Sequence, residues 1–136
     1  MEMPNLSPLR RGALAALLTA CGAAAHAAGP AELAAGYAAQ AAAPPSAARG
    51  EQFFTQAHGR EWSCASCHGT PPTASGKHAA TGKSIAPLAP AFNPDRFTDP
   101  AKVEKWFRRN CNDVAGRECS AGEKADVLAW LMTLKK

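Results

Sequence analysis

Apolar residues recur at helical spacing in the C-terminal third of the chain. Val103, Trp106, Phe107 and Asn110 follow the i, i+3, i+4, i+7 pattern. Thr98-Asp99-Pro100 precedes them, a capping residue followed by proline in the first turn. The spacing predicts a helix over 101–110, with Asn110 on the same inward face as the two aromatics. Val127, Trp130, Leu131 and Leu134 repeat the pattern, and Ser120-x-x-Glu123 opens that last helix as a capping box. Upstream, residues 30–43 are Ala-rich with Leu33 and Tyr37 four apart, which predicts a short helix ended by Pro44-Pro45. Ser46 can cap a second helix over 46–58, with Phe53, Phe54 and Ala57 as its apolar face. Residues 59–100 have no period and are rich in Pro, Gly, Thr and Ser. There is no strand alternation and no internal repeat. A loop of about 40 residues is uncommon in a small domain and needs something to wrap around. The pattern as a whole predicts an all-α fold of about four helices around a long irregular loop.

The N-terminal stretch reads differently. Arg10 and Arg11 precede a short Leu/Ala run over 12–21, and Ala25-His26-Ala27 is a small-x-small cleavage site. This predicts a signal peptide over 1–27 and one mature domain over 28–136. The run is too short for a membrane span. A competing reading exists, because Leu18-Thr19-Ala20-Cys21 before Gly22 has the form of a bacterial lipobox. Cys21 would then carry a lipid anchor facing the periplasm. The bland reading is an uncleaved Ala-rich tail. Either export route predicts a periplasmic protein, where thiols oxidise.

A chain of 136 residues excludes a Rossmann enzyme, a TIM barrel and any two-domain architecture. Apolar residues make up 46%, but many are Ala, and aromatics are only 7%. Such a thin core needs a staple or a cofactor. The formal net charge of +4 is mild and gives no reason to expect nucleic acid.

Cys64-Ala65-Ser66-Cys67-His68 supplies the cofactor reading: C-x-x-C-H is the attachment motif of c-type haem. Two Cys three apart reach the two vinyl groups on one edge of the porphyrin, and the adjacent His becomes the proximal iron ligand. A dithiol redox pair would need a βαβ setting, which is absent. A zinc site would need a second close pair, whereas Cys111 and Cys119 are eight apart. The second axial position is open to several candidates. Met132 lies within the last helix and reads as core, which argues against a His/Met pair. His78 lies in the loop and His58 near a helix end; both read as surface residues. Asn110 is aimed inward, and a buried Asn is most often only a hydrogen-bonding residue. Cys111 and Cys119 read as a disulfide in an exported chain.

The segments CASCHG (64–69), TGKSIAPLAP (81–90), NPDRFTD (93–99), KVEKWFRRNCNDVAGREC (102–119) and GEKADVLAWL (122–131) resemble the sphaeroides haem protein type of cytochrome c. The likeness runs from Arg49-Gly50 through Leu134, and 30–37 fits that family's N-terminal helix. It implies a class I-like cytochrome c fold around one covalent haem c. It implies His68 as proximal ligand, Asn110 rather than Asn112 as distal ligand, and a Cys111–Cys119 bridge. It also implies a di-haem c-type cytochrome and a membrane b-type cytochrome as electron donors.

A carboxamide is a hard, neutral donor that ferric iron holds and softer ferrous iron holds poorly. Reduction is therefore expected to release Asn110 and open the iron to O₂, NO or CO. Three function classes follow: a carrier that binds small ligands when reduced, a haem oxidase or reductase, and a plain shuttle whose Asn never leaves. Catalysis would want an acid or base beside the iron, and Asn110 is neither; the carrier is favoured, as a monomer. Lys102, Lys105, Arg108 and Arg109 form a basic strip suited to an acidic partner, or simply a solvated helix face.

Overall fold

The structure is a computed structural model describing residues 28–136. The expected signal over 1–27 and the alternative at Cys21 lie outside the described residues. Five helices and one small hairpin follow in order. They are α1 (Pro30–Ala41), α2 (Ala47–Thr55), α3 (Cys64–His68), β1 (Gly76–Lys77), β2 (Ser84–Ile85), α4 (Pro100–Ala115) and α5 (Ala121–Thr133). The four expected helices are present, and the fifth is a single turn formed by the C-x-x-C-H motif itself.

Local chemistry sets each boundary. Ser46 Oγ accepts from the Arg49 backbone N–H at the start of α2. Asp99 accepts from the Lys102 N–H at the start of α4, ahead of Pro100 at N1. Ser120 and Glu123 form the capping box of α5 reciprocally, at 3.2 and 2.8 Å. Helix α4 runs to Ala115, five residues beyond the expected end, and stops at Gly116 in the left-handed region. The polar run from Asn110 to Asp113 hid this extension, because only Cys111 and Val114 continue the buried face.

Helix α5 is the centre of the packing. Its Ala125 and Leu128 meet Ala34 and Tyr37 of α1, with Met132 packed against the same cluster. Its Val127, Trp130 and Leu131 meet Phe54 of α2. Asp126 lies between these two faces, buried, and is fully partnered. Arg49 Nε donates to Oδ2 at 2.7 Å, and Arg49 Nη2 and the Ser46 N–H donate to Oδ1 at 2.9 and 2.6 Å. The bidentate guanidinium–carboxylate pair bolts the first turn of α2 onto the middle of α5. Gly50, one residue on, lets the two backbones approach so closely that a Cβ there would run into the Asp126 carbonyl.

The long loop is more ordered than its composition suggested, and two corrections follow. It contains a hairpin, Gly76 facing Ile85 and Lys77 facing Ser84; strands of two residues are too short to show alternation. It is also tied by side chains that carry no periodic signal. Arg96 donates to the carbonyls of Pro87 and Ala86 at 2.9 and 2.6 Å, and Asn93 Nδ2 donates to Pro87 at 3.2 Å. The N–H groups of Leu88 and Ala89 both donate to the carbonyl of Pro72, which is fully buried.

The α2–α5 crossing makes a direct prediction. Gly50→Ala should lower the unfolding free energy by about 1–3 kcal/mol, the usual cost of overpacking. Urea denaturation of the holoprotein checks this, and an unchanged midpoint would show that the crossing has slack.

Candidate functional site

The C-x-x-C-H motif is held as one helical turn by its own serines. Ser66 Oγ accepts from the Ser63 N–H at 3.0 Å, and the two hydroxyls are 3.2 Å apart. The Gly69 N–H closes the turn on the Ala65 carbonyl at 2.8 Å, with Gly69 at positive φ. Cys64 and Ala65 pack against the Phe54/Leu131 cluster. The hairpin covers the other side. The Ala79 N–H donates to Cys67 Sγ at 3.3 Å, and Gly76 lies so close that a Cβ would strike the Cys67 carbonyl.

Cys64 and Cys67 are not joined to each other. Burial, together with the neighbouring Cys67, pushes the Cys64 thiol up to about 11 despite a backbone hydrogen bond acting the other way. It is a protonated thiol, unlike the activated thiolate of a dithiol redox enzyme. Burial first, and the positive charge of Arg96 second, hold the His68 imidazole down at about 4. The ring is therefore neutral at physiological pH, which is the form that ligates a metal. Among the described residues no hydrogen bond reaches its nitrogens. Its ring centroid lies 6.1 Å from that of Phe54, which in turn sits 4.9 Å from Trp130.

The distal candidate, Asn110, is half-buried on α4 and immediately precedes Cys111, which is disulfide-bonded to Cys119 across 5.6 Å between Cα atoms. Of the face expected to point inward on α4, Val103 is buried, Phe107 packs against the core and Asn110 is half-buried. Val103, Phe107, Cys111 and Val114 point inward, whereas Trp106 is 44% exposed with the Arg109 guanidinium 5.7 Å over its ring. The other candidates are engaged elsewhere. His58 Nε2 donates to the Phe53 carbonyl at 2.8 Å and its ring lies on Phe53. His78 Nδ1 accepts from the Thr81 N–H at 3.2 Å inside the hairpin turn. Met132 faces α1.

These residues fit haem c. Two unbridged thiols on one helical turn, an adjacent neutral imidazole and half-buried apolar side chains at Phe53, Leu88, Phe97 and Phe107 match a planar apolar group attached at one edge. Among the described residues no three or more His, Cys, Asp or Glu side chains cluster as a bare zinc ion would require. Sequence reasoning missed Arg96, whose charge bears on His68, and Asp126, whose partner Arg49 is 77 residues away. The signal for Asp126 was available: an acid set into the apolar run 125–132 of α5 requires a partner.

Comparison with known proteins gives a consistent picture. Residues 40–131 match a family described as a domain of unknown function, DUF1924. The chain is 58% identical over 106 residues to the cytochrome c-type protein SHP of Cereibacter sphaeroides, covering 75% of this chain and 81% of that protein. Its fold is similar to the structure of oxidized SHP, described as an oxygen-binding cytochrome c, at 54% identity with a TM-score of 0.73 over 77% of this chain and 96% of that one. It is also similar to the solution structure of cytochrome c'' from Methylophilus methylotrophus, solved for insight into haem-ligand detachment. The identity there is 39% and the TM-score 0.70, over 79% of this chain and 94% of that one.

The bridge beside Asn110 has a measurable stability effect. Cys111→Ser with Cys119→Ser should lower the unfolding free energy by about 2–3 kcal/mol, the loop-closure value for so short a ring. Thermal denaturation with and without reductant measures it; wild type insensitive to reductant under unfolding conditions would contradict the bridge.

Proposed function

Because this chain belongs to the SHP type of c-type cytochromes, we propose that it is an exported single-haem electron carrier whose distal ligand, Asn110, lets go on reduction. Haem c, when bound, supplies an iron that exchanges one electron and can offer a position to a diatomic gas. Cys64 and Cys67 hold it covalently through thioethers, and His68 supplies the proximal nitrogen. The observation that carries the reading is His68 itself: a neutral imidazole on the same turn as two unbridged thiols, with no hydrogen bond to its ring among the described residues.

Asn110 offers a neutral, hard oxygen donor. It holds ferric iron and releases the softer ferrous ion. Once free, its Nδ2–H groups can donate a hydrogen bond to a small ligand. Two likenesses support this reading, one to an oxygen-binding cytochrome c and one to a protein studied for haem-ligand detachment. The haem enzyme reading is weaker, because Asn110 is neither acid nor base and both His58 and His78 are engaged in local hydrogen bonds. The signal-like stretch over 1–27 supports a periplasmic location, soluble or anchored at Cys21. A di-haem c-type cytochrome and a membrane b-type cytochrome are the electron donors that the family relationship suggests.

Attachment is tested by extraction. Acid-acetone should leave the pigment with the protein, and pigment in the solvent would refute the thioethers. Ligation is tested by spectra of both redox states with and without CO. Wild type should be six-coordinate when ferric and should take CO rapidly when ferrous. Asn110→Ala should bind ligands in both states. Asn110→His, a stronger donor, should keep ferrous iron low-spin and suppress CO binding. His78→Ala should change nothing. A ferrous wild type that is already low-spin and inert to CO would return the protein to the plain shuttle class.

A further inference from the structure

Helix α4 has no extensive backbone approach to another helix, so its side chains set its position. After Asn110 stands the Cys111–Cys119 bridge. Before it stands Glu104, which accepts from two other helices at once. The buried Tyr37 hydroxyl of α1 donates to Oε1, and Lys124 Nζ of α5 donates to Oε2 at 2.9 Å. The ammonium of Lys124 also lies 5.2 Å from the Tyr37 ring centroid and 5.8 Å from that of Phe107. Phe107 meets Tyr37 edge-on, with centroids 6.0 Å apart and planes at 89°. Glu104, Phe107 and Asn110 are each three residues apart, so they lie along one row of α4.

We propose that Glu104, gripped by Tyr37 and Lys124, is the positioning residue of the distal site: it fixes the rotation and height of α4 and thereby where the Asn110 carboxamide can stand. This rests on the reading of Asn110 as the distal ligand. A carboxylate with one oxygen committed to α1 and the other to α5 cannot follow a rotation or a slide of α4 without breaking both bonds. The side chain of Lys124 is only 13% exposed and Tyr37 only 4%, so both donors are held inside the fold, while the Glu104 carboxylate that joins them is 42% exposed and partly screened. The Arg108–Glu118 pair on the same helix is the contrast: both side chains are more than 60% exposed, and the separation is 3.5 Å. A pair of that kind holds little in place.

Stopped-flow binding of imidazole to the ferric holoprotein tests the proposal, together with the ferric high-spin fraction. Tyr37→Phe and Glu104→Gln should each raise the binding rate about tenfold, as expected when one charged hydrogen bond is lost from the closed state. Both should raise the high-spin fraction, while Lys105→Ala, on the solvent face of α4, should match wild type. In an Asn110→Ala background neither clamp substitution should add anything. Clamp variants at the wild-type rate, with Asn110→Ala fast, would overturn the clamp and leave the ligand assignment standing. An Asn110→Ala protein that stays as slow as wild type would remove the ligand assignment and the clamp with it. A clamp effect that persists undiminished in the Asn110→Ala background would show general loosening and overturn positioning. Should Glu104→Gln not fold, Tyr37→Phe, which loses one hydroxyl, decides alone.

Discussion

Helix α5 is buried on two sides, and two helices must close on it to make that possible. Ala125 and Leu128 require α1, and Val127, Trp130 and Leu131 require α2. Asp126 lies between the two faces, and its three hydrogen bonds from Ser46 and Arg49 set the angle at which α2 crosses. With both sides of α5 taken, α4 packs through side chains rather than by close backbone approach: Phe107 meets both clusters, and a disulfide ties Cys111 to the segment before α5.

The parts that were legible in the sequence are those with local causes. Ser46, Asp99 and the Ser120/Glu123 box cap the helices they were expected to cap, because a cap is decided by residues within three positions of one another. The C-x-x-C-H motif was legible for the same reason. The hairpin and the length of α4 were not. A two-residue strand leaves no alternation to read, and the polar run after Asn110 concealed the last five residues of α4. The Glu104–Tyr37–Lys124 contact was out of reach altogether. Tyr37 is 67 residues from Glu104, and each of the three reads singly as an ordinary surface or core residue.

Electrostatics on the two sides of the molecule follow one rule. Where a charge is buried and paired it does structural work, as at Asp126 and Lys124. Where a titratable group is buried without a counter-charge it stays neutral, as at Cys64 and His68. Arg96 sharpens this on the proximal side. Its guanidinium is spent on loop carbonyls, and its remaining field disfavours an imidazolium at His68. Burial, with Arg96 second, thus keeps the His68 ring in the form that the proposed ligation would use.

Asn110, the proposed distal ligand, poses the opposite problem. A carboxamide is a weak donor, so little intrinsic bond strength is available to offset the entropy of bringing it into place. Such a ligand can hold only if its carrier is already ordered when it binds, because any freedom of the helix subtracts from a small margin. Asn110 lies between two such restraints, a carboxylate clamp one and a half turns before it and a disulfide immediately after it. Weakness in the ligand and rigidity in its carrier belong together. On the proposed reading, the first would allow release when the iron changes charge, and the second would make the bound state possible. A strong donor on a loose helix would also ligate, but reduction would no longer free it. Under that proposal, the arrangement of α1, α4 and α5 is the structural counterpart of a ligand that lets go.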